Sequence, residues 1–286
     1  MPSVPFYFLN IRKPKGITSF DVIFKLRRIL KIKKIGHSGT LDPMASGVMQ
    51  VAIGAATRLL EYLPSDKEYV AKIKFGYTSS TLDAEGKITK CEFSDFTKED
   101  LKNVLKEFTG KIKQIPPIYS AIKVNGQKLC DIARKNPDAE VEIKSREVEI
   151  YKLELLNFNN DEAEIKVSCS KGTYIRTLAE DIAKKLKTHA YLVELTRTKA
   201  GNFKIEDSVE IEDTINCAKI PARDVLNLEE YILSFEEYSS VKNGVSIAPK
   251  TIPNSEILSL IYDNKLVSIG VFIDNKIKVN KFFNLN

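Results

Sequence analysis

Twelve consecutive residues, Gly36-His37-Ser38-Gly39-Thr40-Leu41-Asp42-Pro43-Met44-Ala45-Ser46-Gly47, carry the side chain best suited to chemistry, the Asp42 carboxylate. Three glycines in this stretch allow backbone conformations that other residues avoid. Pro43 pushes Asp42 away from helical geometry and toward extended backbone. A single carboxylate is thereby presented from a shaped loop, where it can act as a nucleophile or abstract a proton. The same pattern also fits a structural turn in which the aspartate caps a helix or braces the loop, because short motifs match often by accident.

Other chemistries have little to work with. The chain holds two histidines, His37 and His189, and four cysteines, Cys91, Cys130, Cys169 and Cys217, with no C-x-x-C pair. That inventory speaks against a zinc site. Scattered single cysteines suit free thiols in a reducing compartment. The first apolar stretch is short, interrupted by Pro5 and followed by Arg12, Lys13 and Lys15, unlike a signal peptide. No apolar run approaches the ~20 residues that span a bilayer. A cytoplasmic protein is expected, and nothing demands more than a monomer. The net charge is +6, but it is unevenly spread. Residues 1–60 hold ten Lys or Arg against Asp21 and Asp42 alone, whereas residues 222–286 hold seven basic and eight acidic side chains. Such a local positive field draws polyanions; it also fits a solvated basic helix.

The elements that must position the loop follow from periodicity. Residues 6–11 form a first strand, and Lys13-Pro14-Lys15-Gly16 a turn. Thr18-x-x-Asp21 resembles a capping box, and Val22, Ile23, Leu26, Ile29 and Leu30 then repeat at helical spacing. Val48 to Ile53 suit a short buried strand. From 69 to 77, Tyr69, Ala71, Ile73, Phe75 and Tyr77 alternate with Val70, Lys72, Lys74 and Gly76, as in a half-buried strand. Residues 97–109 read as a helix capped by Thr97 and stopped by Gly110. Asn125-Gly126 marks a hairpin. Strands at 141–156 and 162–169 flank a turn at Asn159-Asn160-Asp161. Residues 175–186 form a further helix and 190–198 a strand. Past Pro221 a short helix near 224–235 precedes short β segments with turns at Asn243-Gly244, Asp263-Asn264 and Asp274-Asn275. The helices are too few for regular βαβ alternation. The expected fold class is therefore α+β, a mainly antiparallel mixed sheet flanked by helices, plus a small β-rich C-terminal module.

The catalytic-looking loop resembles the G-H-x-G-x-L-D-P-x-A-x-G motif of the TruB family of RNA pseudouridine synthases, with every fixed position matched. Further segments resemble the family in the same order: Ala56-Thr57-Arg58; Lys67-Glu68-Tyr69; Ile115-Pro116-Pro117-Ile118-Tyr119-Ser120-Ala121 with Lys123; Ser170-Lys171-Gly172-Thr173-Tyr174-Ile175-Arg176; and Leu195-Thr196-Arg197. The resemblance runs across residues 10–200 and is closest to the stand-alone bacterial form. It implies a pseudouridine synthase fold, with a catalytic domain at 1–222, an RNA-contacting insertion at about 122–146, and a small PUA-like module at 223–286.

The resemblance also implies an isomerase that converts uridine 55 in the T arm of tRNA to pseudouridine, with no metal or organic cofactor. Asp42 matches the catalytic aspartate and Arg176 the arginine that pairs with it. Tyr69 matches the tyrosine that stacks on the flipped base, and Tyr174 a second active-site tyrosine. His37 matches a histidine that contacts the RNA, Arg58 and Leu195 match pocket residues, and Lys123 a phosphate contact. The implied partner is tRNA alone, with no membrane and no obligate protein partner. The alternative reading is a tRNA-binding RNA chaperone whose folding activity does not need the chemistry.

Overall fold

The computed structural model describes residues 5–91, 93, 95–124, 126–136 and 141–283. In chain order its elements are β1 (Phe6–Lys13), α1 (Ser19–Leu30), β2 (Ile35–Ser38), β3 (Ser46–Gly54), a 3-10 helix (Ala55–Tyr62), β4 (Lys67–Phe75), β5 (Tyr77–Ser79), β6 (Ile88–Lys90), α2 (Lys98–Glu107) and β7 (Gly110–Gln114). There follow β8 (Lys123–Val124), β9 (Gln127–Lys128), α3 (Leu129–Lys135), β10 (Arg146–Asn159), β11 (Glu162–Cys169), α4 (Ile175–Lys185), β12 (Ala190–Ala200), β13 (Phe203–Lys204) and β14 (Ile220–Pro221). The last elements are β15 (Glu229–Ile232), α5 (Phe235–Lys242), β16 (Ile257–Tyr262), β17 (Lys265–Ile273) and β18 (Lys276–Phe282).

Ten strands form one sheet in the order β14-β1-β3-β12-β4-β11-β10-β7, with β2 on β3 and β13 on β12. Every pairing in it is antiparallel except β3 with β12. The β4 alternation is realised: Tyr69, Ala71, Ile73 and Phe75 are buried, and the residues between them are only half-buried. Thr18 and Asp21 close the capping box of α1, and Thr97 with Asp100 that of α2. Helix α4 lays Ile175, Leu178, Ala179 and Ile182 against the sheet in one core with Tyr69, Ile73 and Leu192. A separate core unites α1 with β1 and β3 through Leu9, Ile11, Val22, Leu26 and Val51.

The C-terminal sheet has the order β15-β16-β17-β18. It is not insulated from the large sheet: Ile261, Leu266, Ile269 and Phe283 share a core with Phe8, Val48, Ala52 and Leu59. One sequence expectation fails here. The helix placed near 224–235 is instead a 3-10 turn at Ala222–Val225 and the strand β15. Glu229 to Ile232 pair in parallel with Leu258 to Ile261, and this tertiary pairing overrides local helical preference. The helix begins later, where Ser234 and Glu237 form a capping box. The strand expected from 141 starts at Arg146. Asn125 of the expected hairpin lies outside the described residues, and β8 and β9 pair on either side of it.

The parallel contact of β3 with β12 joins the two strands beneath Asp42, and it rests on Gly47. This residue sits at φ 107°, and a Cβ there would lie under 3.0 Å from the N, C and O atoms of Arg197. Gly47→Ala is therefore expected to lower stability by about 2–4 kcal/mol, through a strained left-handed backbone and a clash without room to relax. Urea unfolding should show a lower midpoint at unchanged slope; an unchanged midpoint would show that the two strands can separate freely.

Candidate active site

Asp42 leaves the sheet between β2 and β3, and its loop is fastened from three sides. Ser19 Oγ, at the start of α1, accepts from Leu41 N (2.9 Å) and donates to Leu41 O (3.0 Å). Lys13 is wholly buried and donates through Nζ to the carbonyls of Pro14 (2.8 Å), Ile17 (2.6 Å) and Pro43 (3.2 Å). Gly16 N donates to Pro43 O at 2.8 Å. On the far side Arg197, also buried, donates to Val48 O (2.7 Å) and Gly39 O (3.2 Å). Burial pushes Lys13 down to about 8, while Glu85 and Asp42 pull it back up.

Asp42 meets Arg176 across the cleft, Oδ2 to Nη2 at 3.0 Å. The guanidinium is only 5% exposed, whereas the Asp42 side chain is 36% exposed. Nη1 faces a second carboxylate, Asp83, at 3.4 Å, and Asp83 is 2% exposed. The guanidinium also donates to Thr81 O (3.0 Å) and Tyr119 O (2.9 Å). Arg176 stands in the first turn of α4, where a cation opposes the helix dipole. Two carboxylates and two carbonyls offset that disadvantage and satisfy a charge that would be costly to bury alone.

Burial raises the Asp42 carboxyl above its ordinary value. Arg176 opposes the shift, Asp83 reinforces it and Lys13 opposes it weakly.

The backbone of Tyr174 is clamped by the buried amide of Gln114, which accepts from Tyr174 N (3.0 Å) and donates to Tyr174 O (3.2 Å). Together these segments enclose a cavity of about 280 Å³, lined by Asp42, Tyr69, Tyr174, Arg176 and Leu195, with Lys67, Arg197, Ser120 and the turn Ser170–Thr173. That is at the small end of ligand sites and suits one nucleoside. Tyr69 forms a wall from β4. Burial raises its hydroxyl, with the nearby Arg197 guanidinium as the main opposing influence.

Five of the eight residues singled out from the sequence thus line one cavity: Asp42, Tyr69, Tyr174, Arg176 and Leu195. Three do not. His37 sits on β2 before the loop, and burial lowers its imidazole below the usual value, which favours the neutral ring. Lys123 lies on the exposed β8 hairpin. Arg58, expected in the pocket, is a correction. It projects from the 3-10 helix to the C-terminal sheet, donating to Phe282 O at 2.8 Å and covering the Phe283 ring at 5.1 Å. The reason is the shared core beneath it: Leu59 packs inward, which turns Arg58 outward against β18.

Asp83, Lys67 and Arg197 were not singled out from the sequence as site residues. For Asp83 the available signal was the pair of acids in Thr81-Leu82-Asp83-Ala84-Glu85-Gly86, too polar a cluster for an ordinary strand connection. Among the described residues no group of three His, Cys, Asp or Glu side chains could hold a metal ion. No helix there is long and apolar enough to cross a membrane.

The fold has solved counterparts. It is similar to a chain in the structure of an H/ACA RNP bound to a substrate RNA containing 2'-deoxyuridine, with a TM-score of 0.74 and 24% identity, covering 97% of this chain and 85% of that one. It is similar also to a chain of a Cbf5-Nop10-Gar1 complex, with a TM-score of 0.75 and 25% identity, covering 97% and 84%. The architecture is that of the pseudouridine synthases.

Residues 27–175 match the N-terminal domain of the TruB family pseudouridylate synthases, and residues 176–238 match the tRNA pseudouridylate synthase B C-terminal domain. Relatives named tRNA pseudouridine synthase B include one from Clostridium tetani, 43% identical over 92% of this chain and 94% of its own length. Another, from Caldanaerobacter subterraneus subsp. tengcongensis, is 42% identical over 96% and 98%. The chain belongs to the TruB family of pseudouridylate synthases.

The anchoring of the loop yields a direct test. Lys13→Met keeps the aliphatic stem but leaves the carbonyls of Pro14, Ile17 and Pro43 without this donor. Pro43 O keeps its bond from Gly16 N, and the Pro14 and Ile17 carbonyls lie nearer the surface, so a loss of about 1–3 kcal/mol is expected in denaturant unfolding. A variant as stable as the parent would show that the ammonium is not what holds the Pro43 turn.

Proposed function

We propose that this chain converts uridine 55 in the T arm of tRNA to pseudouridine, with Asp42 as the catalytic residue. The observation that carries the reading is the Asp42–Arg176 pair at the floor of a nucleoside-sized cavity, in a chain whose family relatives are named for tRNA pseudouridine formation. The reaction is an isomerisation. The bond from N1 of the base to C1' of the ribose breaks, the uracil turns, C5 bonds to C1', and the proton lost from C5 is matched by one taken up at N1. Asp42 can serve it as a nucleophile at the sugar, as a nucleophile at the base, or as a base toward a sugar proton. All three begin from the ionised carboxylate, which Arg176 favours.

A uracil stacked within RNA cannot reach this cavity and must be extruded, at a cost of a few kcal/mol. Tyr69 supplies a flat face that replaces the lost stacking, and Leu195 completes the apolar wall. Tyr174, fixed through its backbone by Gln114, orients the site. Charge on the surface supports an RNA partner. Helix α1 exposes Phe20 and Phe24 with Arg27 and Arg28 set over their rings at 5.9 Å, an aromatic and basic stripe beside the Ser19 anchor of the Asp42 loop. The insertion at 122–146 is joined to the cavity wall where Cys130 N donates to Ser120 O at 3.1 Å, and it is assigned the role of closing over bound RNA. In this reading His37 and Lys123 contact RNA outside the cavity, residues 1–222 form the catalytic unit, and 223–286 form an accessory PUA-like module.

Asp42→Asn is expected to abolish pseudouridine formation, read by mass or chemical mapping of unmodified tRNA incubated with the purified protein. Folding and tRNA binding should stay close to normal; residual turnover near the parental rate would remove Asp42 from its role. Tyr69→Phe should retain most base stacking and Tyr69→Leu should lose it, worth ~1–3 kcal/mol per base, so the leucine variant is expected to turn over roughly 5- to 150-fold more slowly than the phenylalanine one.

The pH dependence has a definite sign. Asp42 works deprotonated, and burial raises its carboxyl. Turnover should therefore fall as pH drops through a point above the ordinary carboxylate value of ~3.9. Removing the main opposing cation, in Arg176→Gln, should move that acid limb higher still. A limb unmoved by this substitution in single-turnover profiles would assign the titration to another group.

A further inference from the structure

The cavity carries two charges that the uracil chemistry leaves unused. Lys67, 8% exposed, and Arg197, 1% exposed, both line it. Among the described residues neither forms an ion pair with a carboxylate, in contrast to Arg176, which faces two. Asp66, exposed at the neighbouring position, acts on Lys67 only at longer range. The Arg197 guanidinium is held by neutral oxygens, the carbonyls of Val48 and Gly39 and the hydroxyl of Tyr69. It thereby fixes a positive field without a compensating acid. Lys67 stands on β4 two residues before Tyr69, so both project from the same face of the strand. Its amine makes no hydrogen bond to the described residues, yet it is not among the fully enclosed unpartnered atoms, so it opens on the cavity. Burial and the neighbouring Arg197 charge push Lys67 down to about 8, so it remains mostly cationic at neutral pH.

Burying two cations without an anion is costly unless a ligand supplies the opposite charge. The uracil is neutral, and the anionic part of a nucleotide is its phosphate. The position also couples to the chemistry. A Cβ on Gly39 would lie 3.5 Å from both Arg197 Nη1 and Lys67 Cε, so the loop that carries Asp42 runs close beside both cations. Lys171, on the turn after β11, adds a further cation to the lining.

Resting on the reading above, we propose that Lys67 binds a backbone phosphate flanking the flipped uridine, and that Arg197 is the positioning residue of this subsite. The phosphate then anchors the extruded nucleotide at one end of the cavity while Asp42 meets it at the other, and the Gly39 backbone sets the spacing between them.

The test pairs a protein charge with an RNA charge. Lys67→Met and Lys67→Arg are assayed on T-arm hairpins that are unmodified or carry one neutral methylphosphonate, either 5' or 3' of the target uridine. On the unmodified hairpin Lys67→Met should lose roughly 10- to 100-fold in kcat/KM, as for a hydrogen bond to a charged group. Lys67→Arg should recover part of it. The salt dependence of RNA binding by Lys67→Met should flatten by about one phosphate's worth, ~0.7–0.9 in log–log slope. The parent protein should lose a similar factor on one of the two methylphosphonate hairpins, and on that hairpin Lys67→Met should cost little more. Independent, multiplying losses on both hairpins would overturn the proposal. So would a parent protein indifferent to both methylphosphonates, a result available even if Lys67→Met does not fold. Absence of any pseudouridine from the parent protein on the unmodified hairpin would instead strike the functional reading itself.

Discussion

A guanidinium taken almost wholly out of water is the constraint around which this site is assembled. Arg176 can stay in the interior only if its charge and its donors are met, and three separate stretches of chain meet them: the Asp42 loop, the turn at Thr81 and Asp83, and the Tyr119 segment. With Asp83 also facing the guanidinium, the loss of one carboxylate leaves its charge still met, whereas the loss of both would leave a buried charge uncompensated. The loop bearing Asp42 is therefore held toward α4 by a requirement of folding as well as by any requirement of catalysis. The pair also crosses the boundary between the two matched family segments, since Arg176 is the first residue of the second. Neither segment contains the site by itself.

Around this pair the scaffold removes freedom wherever the loop could drift. Lys13 and Ser19 fix it from the side of β1 and α1, and Arg197 fixes it from β12. Gly47 allows β3 to run close beside β12. The anchors reach mainly backbone atoms, so they constrain the path of the loop and leave the Asp42 side chain open to the cavity. A reactive group carried on a loop gains precision when its supports come from packed strands and helices. The C-terminal sheet contributes at a distance: it covers the outer side of the 3-10 helix after β3, with Arg58 bonded to Phe282 O and Lys281 paired with Glu61. Arg58 is thus a joint between two sheets in this structure.

The parts legible in the sequence were those governed by local rules. The capping boxes of α1 and α2, the alternation of β4, the apolar stripe of α4 and the turns at Asn243-Gly244, Asp263-Asn264 and Asp274-Asn275 each follow from residues within a few positions of one another. The Asp42 loop stood out for the same reason, as glycines and a proline crowded around one acid. What stayed hidden depends on distance in the chain. Asp83 reads as one more acid in a polar turn until β12 brings Leu192 beside it and α4 brings Arg176. Arg197 reads as an exposed charge on a strand until the approach of Gly47 closes over it. Arg58 lies in a matched segment, but the C-terminal sheet claims its side chain, and no local pattern announces that sheet's position. The 224–235 segment was misread because its strand exists only through pairing with β16, about thirty residues later.

The sharing of one arginine between two carboxylates has a consequence for reactivity. A guanidinium facing Asp42 stabilises its charged form, and a strongly stabilised carboxylate is a weak base and a weak nucleophile. Asp83 changes that balance. It is more deeply buried than Asp42, it takes Nη1 for itself, and its negative charge adds to the burial that raises the Asp42 carboxyl. The result is a carboxyl raised above its usual range yet still facing a cation, so its ionised form keeps more basicity than a lone Asp–Arg pair would leave it. A lone Asp–Arg pair favours the charged form by making it inert. For the role proposed for Asp42, a second acid behind the arginine restores part of the driving force for attack or proton transfer, and that acid, 2% exposed, is itself withdrawn from the cavity.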